Sequence, residues 1–409
     1  RSLCRSCRLR RRVGCSTIRS QTRECGARVV PIYLDYHATT PVDSRVFNSM
    51  LPYFMEVFGN PASASHAFGL AARRAVEEAR QRIATALNAE SAREIIFTSG
   101  STESNNLAIK GVVKTCGGRG RHVVTAATEH KCVLNACKAL REDGFDVTVL
   151  PVEADGSLPV AAVEAVLRPD TVLVSLMHAN NEIGVLHDIA AIGRLCRPRG
   201  VLLHTDATQS FGKVPVDVRA LGVDLLSMSG HKMYGPKGVG ALYVRTPCRL
   251  VPQLDGGGHE GGLRSGTLNV PGIVGLADAV VLASADLDAD RRAQRAQRDR
   301  LWGALREAFP GVVLNGPDPI AEPDRRLPNN LNVSLPTTEG EALLASFGDE
   351  VAVSTSSACT SSSGESSHVL AAIGRPEGLV NLRISVGRPT TDAEIDRITT
   401  LIASARQHV

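Results

Sequence analysis

From Pro31 onward, short β-branched runs alternate with amphipathic stretches, and this alternation limits the possible folds more than any other feature of the chain. The runs are Glu94-Ile-Ile-Phe-Thr, His122-Val-Val-Thr, Thr171-Val-Leu-Val-Ser-Leu-Met, Val201-Leu-Leu-His-Thr and Asp224-Leu-Leu-Ser-Met; helical spacing fills 71–87 and 189–196 between them. Near-continuous apolar runs of strand length, separated by amphipathic helices, are what a mostly parallel sheet covered on both faces requires. After about Leu282 the pattern changes to a charged helix over 286–309, strand-like segments at 330–334 and 382–386, and a final helix over 392–407. The expected class is α/β, with a large domain over 31–282 and a smaller α+β domain over 283–409. The start of the large domain is a candidate contributor to the small one.

With 409 residues, 43% hydrophobic and 22% charged, the chain can bury a large core without disulfides or structural metal. The longest apolar run, 270–285, is interrupted by Asp278 and falls short of the roughly 18 uncharged residues a spanning helix needs, so no membrane partner is expected. Residues 1–30 hold nine arginines against one acid, Glu24, and lack an apolar signal core; they read as a separate basic arm, disordered or targeting. Since the whole chain carries +4, the remainder is net acidic and gives no electrostatic reason to bind nucleic acid. Cys4, Cys7, Cys15 and Cys25 match no paired zinc knuckle, and the other cysteines form no disulfide framework, so a reducing compartment is expected. The cytoplasm is the leading location, with a mitochondrial or plastid matrix as the alternative if the arm is a presequence.

Ligands of open α/β sheets bind beyond the carboxyl ends of the strands, so the residues following each run carry the functional information. Those residues are Ser99-Gly-Ser-Thr102, Thr128-Glu-His130, Asn180-Asn-Glu182, Asp206-Ala-Thr-Gln209 and Ser229-Gly-His-Lys232. Any one of these groups is ordinary turn chemistry. Together they imply one shared site. Ser101 and Thr102 open a helix, where backbone N–H groups and the helix dipole favour a phosphate. Asp206 at a strand end needs a cation or strong donors to stay ionised, and a protonated pyridine nitrogen would serve. Lys232 sits between His231 and the glycine-rich 235–240, where burial and neighbouring charge would make its amine nucleophilic. A phosphate cradle, an acid and a lysine together describe a pyridoxal 5′-phosphate site.

From Ile32 to the end the sequence resembles the cysteine desulfurases of the class V aminotransferase fold, with the long-loop subgroup as the nearest pattern. The resemblance rests on Tyr33-Leu-Asp-Tyr-His-Ala-Thr-Thr-Pro-Val-Asp43, Phe97-Thr-Ser-Gly-Ser-Thr-Glu-Ser-Asn-Asn-Leu-Ala108, Asn180-Asn-Glu-Ile-Gly184, Ser229-Gly-His-Lys-Met-Tyr-Gly-Pro-Lys-Gly238, Gly256-Gly-Gly-His-Glu260, Arg264-Ser-Gly-Thr267 and Ser357-Ala-Cys-Thr-Ser361, in the family's order. It implies that Lys232 holds the cofactor covalently, Asp206 pairs with its ring nitrogen, Gln209 meets the ring hydroxyl and His130 stacks on the ring and moves protons. Asn181 is implied beside cofactor and substrate, Thr102, Ser229 and His231 as phosphate ligands, and Thr267 as a ligand given to the other subunit of a homodimer. Arg383, in Leu382-Arg-Ile-Ser-Val-Gly387, matches the arginine that binds the substrate carboxylate, with a structural salt bridge as the plainer reading and Arg388 close enough to be confused with it. Cys359 is implied as the nucleophile that attacks the sulfur of L-cysteine, leaving alanine and a persulfide, and as a transient iron–sulfur ligand through that persulfide.

The chain also departs from the pattern. Ser356 stands where the long-loop subgroup commonly has Gly, residues 363–370 differ from its usual Leu-Glu-Pro-Ser-Tyr stretch, and the sequence ends at Val409, short of the tail that in many members engages the iron–sulfur scaffold protein. A sulfur acceptor or scaffold partner is expected, with its identity open. Selenocysteine lyase or another aminotransferase-like activity is the alternative, and a non-catalytic binding protein that kept the fold comes last.

Overall fold

The computed structural model describes residues 30–116, 118–355 and 367–408. The basic arm up to residue 29 and the segment 356–366 with Cys359 therefore lie outside the described residues. Among the described residues there are twelve strands, and seven of them build the central sheet: β2 (Ile95–Thr98), β3 (His122–Ala126), β4 (Asp146–Leu150), β5 (Thr171–Ser175), β6 (Leu202–Asp206), β7 (Leu225–Ser229) and β8 (Gly240–Val244). Their order is β2-β8-β7-β6-β5-β3-β4. Only β8 runs against the rest, pairing antiparallel with both β2 and β7, while β4, β3, β5, β6 and β7 are joined by parallel ladders.

Helices cover both faces, and each face has its own apolar cluster. One face is closed by Ala67–Leu87 and Val270–Ala285. The first of these buries Ala72, Ala75, Val76, Ala79, Ile83 and Leu87, the three- and four-residue spacing of a single stripe; it ends at Asn88, whose φ of 57° makes the left-handed cap. The other face is closed by Ser101–Thr115 and Lys131–Glu142, which bury Leu107, Ile109, Val112, Val133 and Leu140. Parallel strands buried on both sides are rich in apolar residues, and β3, β5 and β7 are buried at every position, with polar side chains such as His122 and Ser175 paired across the sheet.

A second core forms around Leu301, Leu305, Phe309, Leu331, Phe347, Ile384 and Ile398. Its sheet pairs β12 (Leu379–Ser385) and β9 (Val313–Leu314) antiparallel to β10 (Asn330–Pro336). Leu34 belongs to this core, and β1 (Ile32–Tyr33) pairs parallel with β11 (Val351–Ala352), so the first described strand completes the C-terminal layer. The helix Leu287–Ala308 joins the two cores. Among the described residues no single helix is long and apolar enough to cross a membrane, and Cys116, Cys132, Cys137, Cys196 and Cys248 are free thiols.

Candidate active site

A cavity of about 340 Å³ opens where β3, β5, β6 and β7 end, and its lining includes Ser101, Thr102, His130, Asn181, Asp206, Gln209, His231, Lys232 and Arg383. A second hollow of about 450 Å³ shares Ser101, Thr102 and His231 and adds Ser229 and Lys237. The expected groups from five separate strand ends thus converge, as a parallel sheet brings its carboxyl ends to one edge. Thr267 lines neither cavity and is exposed. Cys359 lies outside the described residues, but one flank of its segment is tied to the lining Arg383 and the other to Glu182 and Glu129, the chain neighbours of the lining Asn181 and His130. Ser354 exchanges backbone hydrogen bonds with Arg383, the Ser367 hydroxyl donates to Glu182 at 2.5 Å, and the ring of His368 meets the Glu129 carbonyl at 2.9 Å.

The polar end of the cavity is built by Gly100, whose φ of 147° turns the chain into the helix Ser101–Thr115 and leaves its first N–H groups facing the hollow. His231 sits there with its Nδ1 beside the Thr39 hydroxyl at 3.1 Å. Burial and the nearby Lys232, Lys237 and Lys213 push it down to about 4, so at neutral pH it offers hydrogen bonds and no charge. At the opposite end Asp206 is buried, accepting from Asn105 Nδ2 at 2.7 Å and from the Thr208 backbone N–H at 2.9 Å, both neutral donors. Lys232 Nζ donates to the carbonyls of His37 and Ala38 at 2.6 and 2.7 Å.

Arg383 lines the cavity with its Nη2 on Asp35 at 2.9 Å and its Nη1 on the Asn181 carbonyl, leaving Nε buried without a partner. Arg388 instead pairs with Asp43 and Asp290 and lies 4.6 Å over the Tyr234 ring, away from the cavity. His130 caps the helix Lys131–Glu142: its Nδ1 accepts the Cys132 backbone N–H at 3.2 Å and lies 2.9 Å from the Cys132 sulfur. Glu129, fully enclosed behind it, is pushed up to about 8 by burial, with Asp206 adding and the Met177 N–H opposing.

Several of these participants had no sequence signal. Asn105 stands inside a matched motif, and its position three residues after Thr102 puts it on the same helical face. Cys132 and Lys213 lie in stretches to which the sequence assigned no role. Asp35 became visible only when β1 crossed to the second core and placed it beside Arg383.

A model of the family described as aminotransferase class-V matches residues 32–398. The chain belongs to that family. This class V aminotransferase is 54% identical over 371 residues to a protein named cysteine desulfurase IscS from Anaeromyxobacter dehalogenans (strain 2CP-C), covering 90% of each chain. It is 50% identical over 382 residues to the protein of that name from Shewanella oneidensis, covering 92% and 93%. Among solved structures, a NifS-like protein superposes with a TM-score of 0.84 at 37% identity, over 93% of this chain and all of that one. A structure titled SspA in complex with cysteine gives 0.76 at 39% identity, over 88% and 99%.

The cofactor of this class V enzyme is pyridoxal 5′-phosphate, and the residues present fit it. Thr208 Oγ1 and Gln209 Oε1 line the cavity as buried polar atoms without partners, which a polar ring would satisfy. Asp206 is a buried acid of the kind a protonated ring nitrogen requires, and the N-terminus at Ser101 and Thr102, with Ser229, His231 and Lys237 nearby, suits a phosphate.

Proposed function

We propose that the chain is a cysteine desulfurase that converts L-cysteine to L-alanine and receives the sulfur on Cys359 as a persulfide. The observation that carries this reading is that both flanks of the Cys359 segment are held beside the cavity of Lys232, Asp206, His130 and Arg383, Ser354 on the lining Arg383, and Ser367 and His368 on Glu182 and Glu129, which adjoin the lining Asn181 and His130. The curated relatives named cysteine desulfurase IscS support it.

When bound, the cofactor supplies an electron sink for the bonds that change at the substrate's α- and β-carbons. The chain supplies the rest. Asp206 holds a proton on the ring nitrogen, and Asn181, His130 and Gln209 orient the ring between them. Ser101, Thr102, Ser229 and His231 bind the phosphate, and Thr267, exposed on its loop, serves the partner of a homodimer. Arg383, steadied by Asp35, offers a guanidinium edge to the substrate carboxylate. Lys232 Nζ, once it leaves the carbonyls of His37 and Ala38, carries the cofactor and moves the α-proton. His130 Nε2 carries a proton at the cavity face. Cys359 attacks the substrate sulfur: a new S–S bond forms, the sulfur–carbon bond breaks, and the released carbon takes up a proton as alanine forms.

Phe47, Phe54, Met55, Phe58 and Phe68 are exposed large apolar side chains, Phe58 and Phe68 in ring contact, and their exposure supports a homodimer. The bacterial relatives support iron–sulfur assembly in the cytoplasm as the setting, with a scaffold protein as sulfur acceptor and Cys359 as a transient cluster ligand. Turnover of L-cysteine tests the reading: alanine forms with the intact chain and is lost in Lys232→Ala, whereas a strong preference for selenocysteine, or amino transfer to a keto acid, would favour the related lyase or aminotransferase chemistry.

A further inference from the structure

Behind the cavity, four side chains make a continuous hydrogen-bonded path. Asn105 is fully buried, and its Nδ2 donates to Asp206 Oδ2 at 2.7 Å and to the Cys132 sulfur at 3.2 Å. That sulfur lies 2.9 Å from His130 Nδ1. The direction of each bond follows from its neighbours. The Asp206 carboxylate only accepts, so the amide nitrogen of Asn105 faces it. Nδ1 of His130 already accepts the Cys132 backbone N–H at 3.2 Å, so the thiol hydrogen points to Nδ1 as well and the ring proton sits on Nε2. The amide therefore spends one hydrogen on each neighbour, and the thiol accepts on one side and donates on the other.

We propose that Asp206, Asn105, Cys132 and His130 act as one directional chain, in which Asn105 and Cys132 are positioning residues that hold the Asp206 carboxylate and the His130 ring in one hydrogen-bonded arrangement around the cofactor. The inference rests on the reading of Asp206 and His130 as the residues that hold the cofactor ring. A donor to an ionised carboxylate stabilises the charged form, and a linked chain transmits a change at one end to the other. The titratable groups packed around the chain are Glu129, His204, Cys137 and Lys232. Glu129 and His204 both feel Asp206, His204 being held down to about 4 by burial, and Cys137 is pushed up to about 12 by burial with Glu129 adding. Glu129, His204 and Cys137 are thereby largely neutral near pH 7.

The test measures pyridoxal 5′-phosphate retention by equilibrium dialysis and the pH midpoint of the bound cofactor's absorbance, in full-length protein. Asn105→Leu, which keeps the volume, is expected to weaken retention by about tenfold or more, the effect of losing a hydrogen bond to a charged group, and to move the absorbance midpoint. Cys132→Ala is expected to move the same midpoint in the same direction, and Cys132→Ser, which still donates and accepts, to restore it. The double variant is expected to fall short of the sum of the two. Additive effects, or an absorbance midpoint unmoved in Asn105→Leu and Cys132→Ala, would overturn the chain. If Asn105→Leu does not fold, the Cys132 pair decides by the same midpoint. Asp206→Ala reports separately on the underlying reading: full cofactor retention there sinks the assignment of Asp206, whereas loss there with silent Asn105 and Cys132 variants sinks only the chain.

Discussion

Single residues here are set by what surrounds them more than by their own chemistry. Arg383 is 4% exposed, and its guanidinium is held by Asp35 and the Asn181 carbonyl with one edge left to the cavity. Arg383→Lys keeps the charge and loses the planar fork, so steady-state kinetics are expected to show KM for L-cysteine raised about tenfold or more with a smaller change in kcat. An unchanged KM would return Arg383 to a purely structural salt bridge. Lys213 shows the opposite case, a buried amine whose Nζ donates to the Lys232 carbonyl at 3.3 Å. Burial, with Lys232 adding, pushes it down to about 7. In the unfolded chain a lysine holds its proton to about pH 10.4. Between those values the unfolded state binds the proton and the folded state does not, so stability is lost as pH falls from about 10 to about 7. Lys213→Met removes this penalty; thermal melts are expected to show it stabilised relative to the parent at pH 7, with the gain shrinking toward pH 10.

At the scale of elements, the structure is tied together where helices and loops meet the sheet edge. Arg80, in the helix Ala67–Leu87, makes a two-pronged pair with Glu260 at 2.7 Å for both contacts and also donates to the Ile95 carbonyl. Glu260 in turn accepts the Phe97 N–H at 2.7 Å, so one buried pair fastens the helix, β2 and the loop that leads to Thr267. Glu260→Leu strands the Arg80 charge and is expected to cost about 3–5 kcal/mol in denaturant unfolding, while adding Arg80→Met recovers much of it. A loss under about 1 kcal/mol would show that water reaches the pair. The long apolar runs announced β3, β5, β6 and β7 because strands buried on both faces are mostly apolar. Two other strands were silent: β8 begins at the end of the glycine-rich 235–240, where no strand was expected, and β4 is an edge strand whose Asp146 and Val149 are exposed, which breaks the apolar run. The crossing of β1 to pair with β11 was only suspected, since two residues carry no period, and the helix Ser101–Thr115 was legible through its opening cap more than through its stripe.

For the whole molecule, the parallel sheet explains why the candidate site could be named before any coordinate was known: its strand ends must share an edge, so the polar residues after each run were bound to meet. Lys232, Asp206, Gln209, His130 and Arg383 were placed that way or by their motifs, and the cavity contains them. The supporting groups stayed hidden because they act across the fold: Asp35 reaches Arg383 over 348 positions of sequence, and Asn105 reaches Asp206 over 101. The central claim is that sulfur leaves cysteine onto Cys359. A single turnover of the cofactor-loaded enzyme with one equivalent of L-cysteine and no reductant, followed by peptide mass spectrometry, tests it most directly. The account predicts one added sulfur on the Cys359 peptide for each alanine released, and none in Cys359→Ser. Alanine formed with the added sulfur on Cys132 or on no cysteine at all would contradict it.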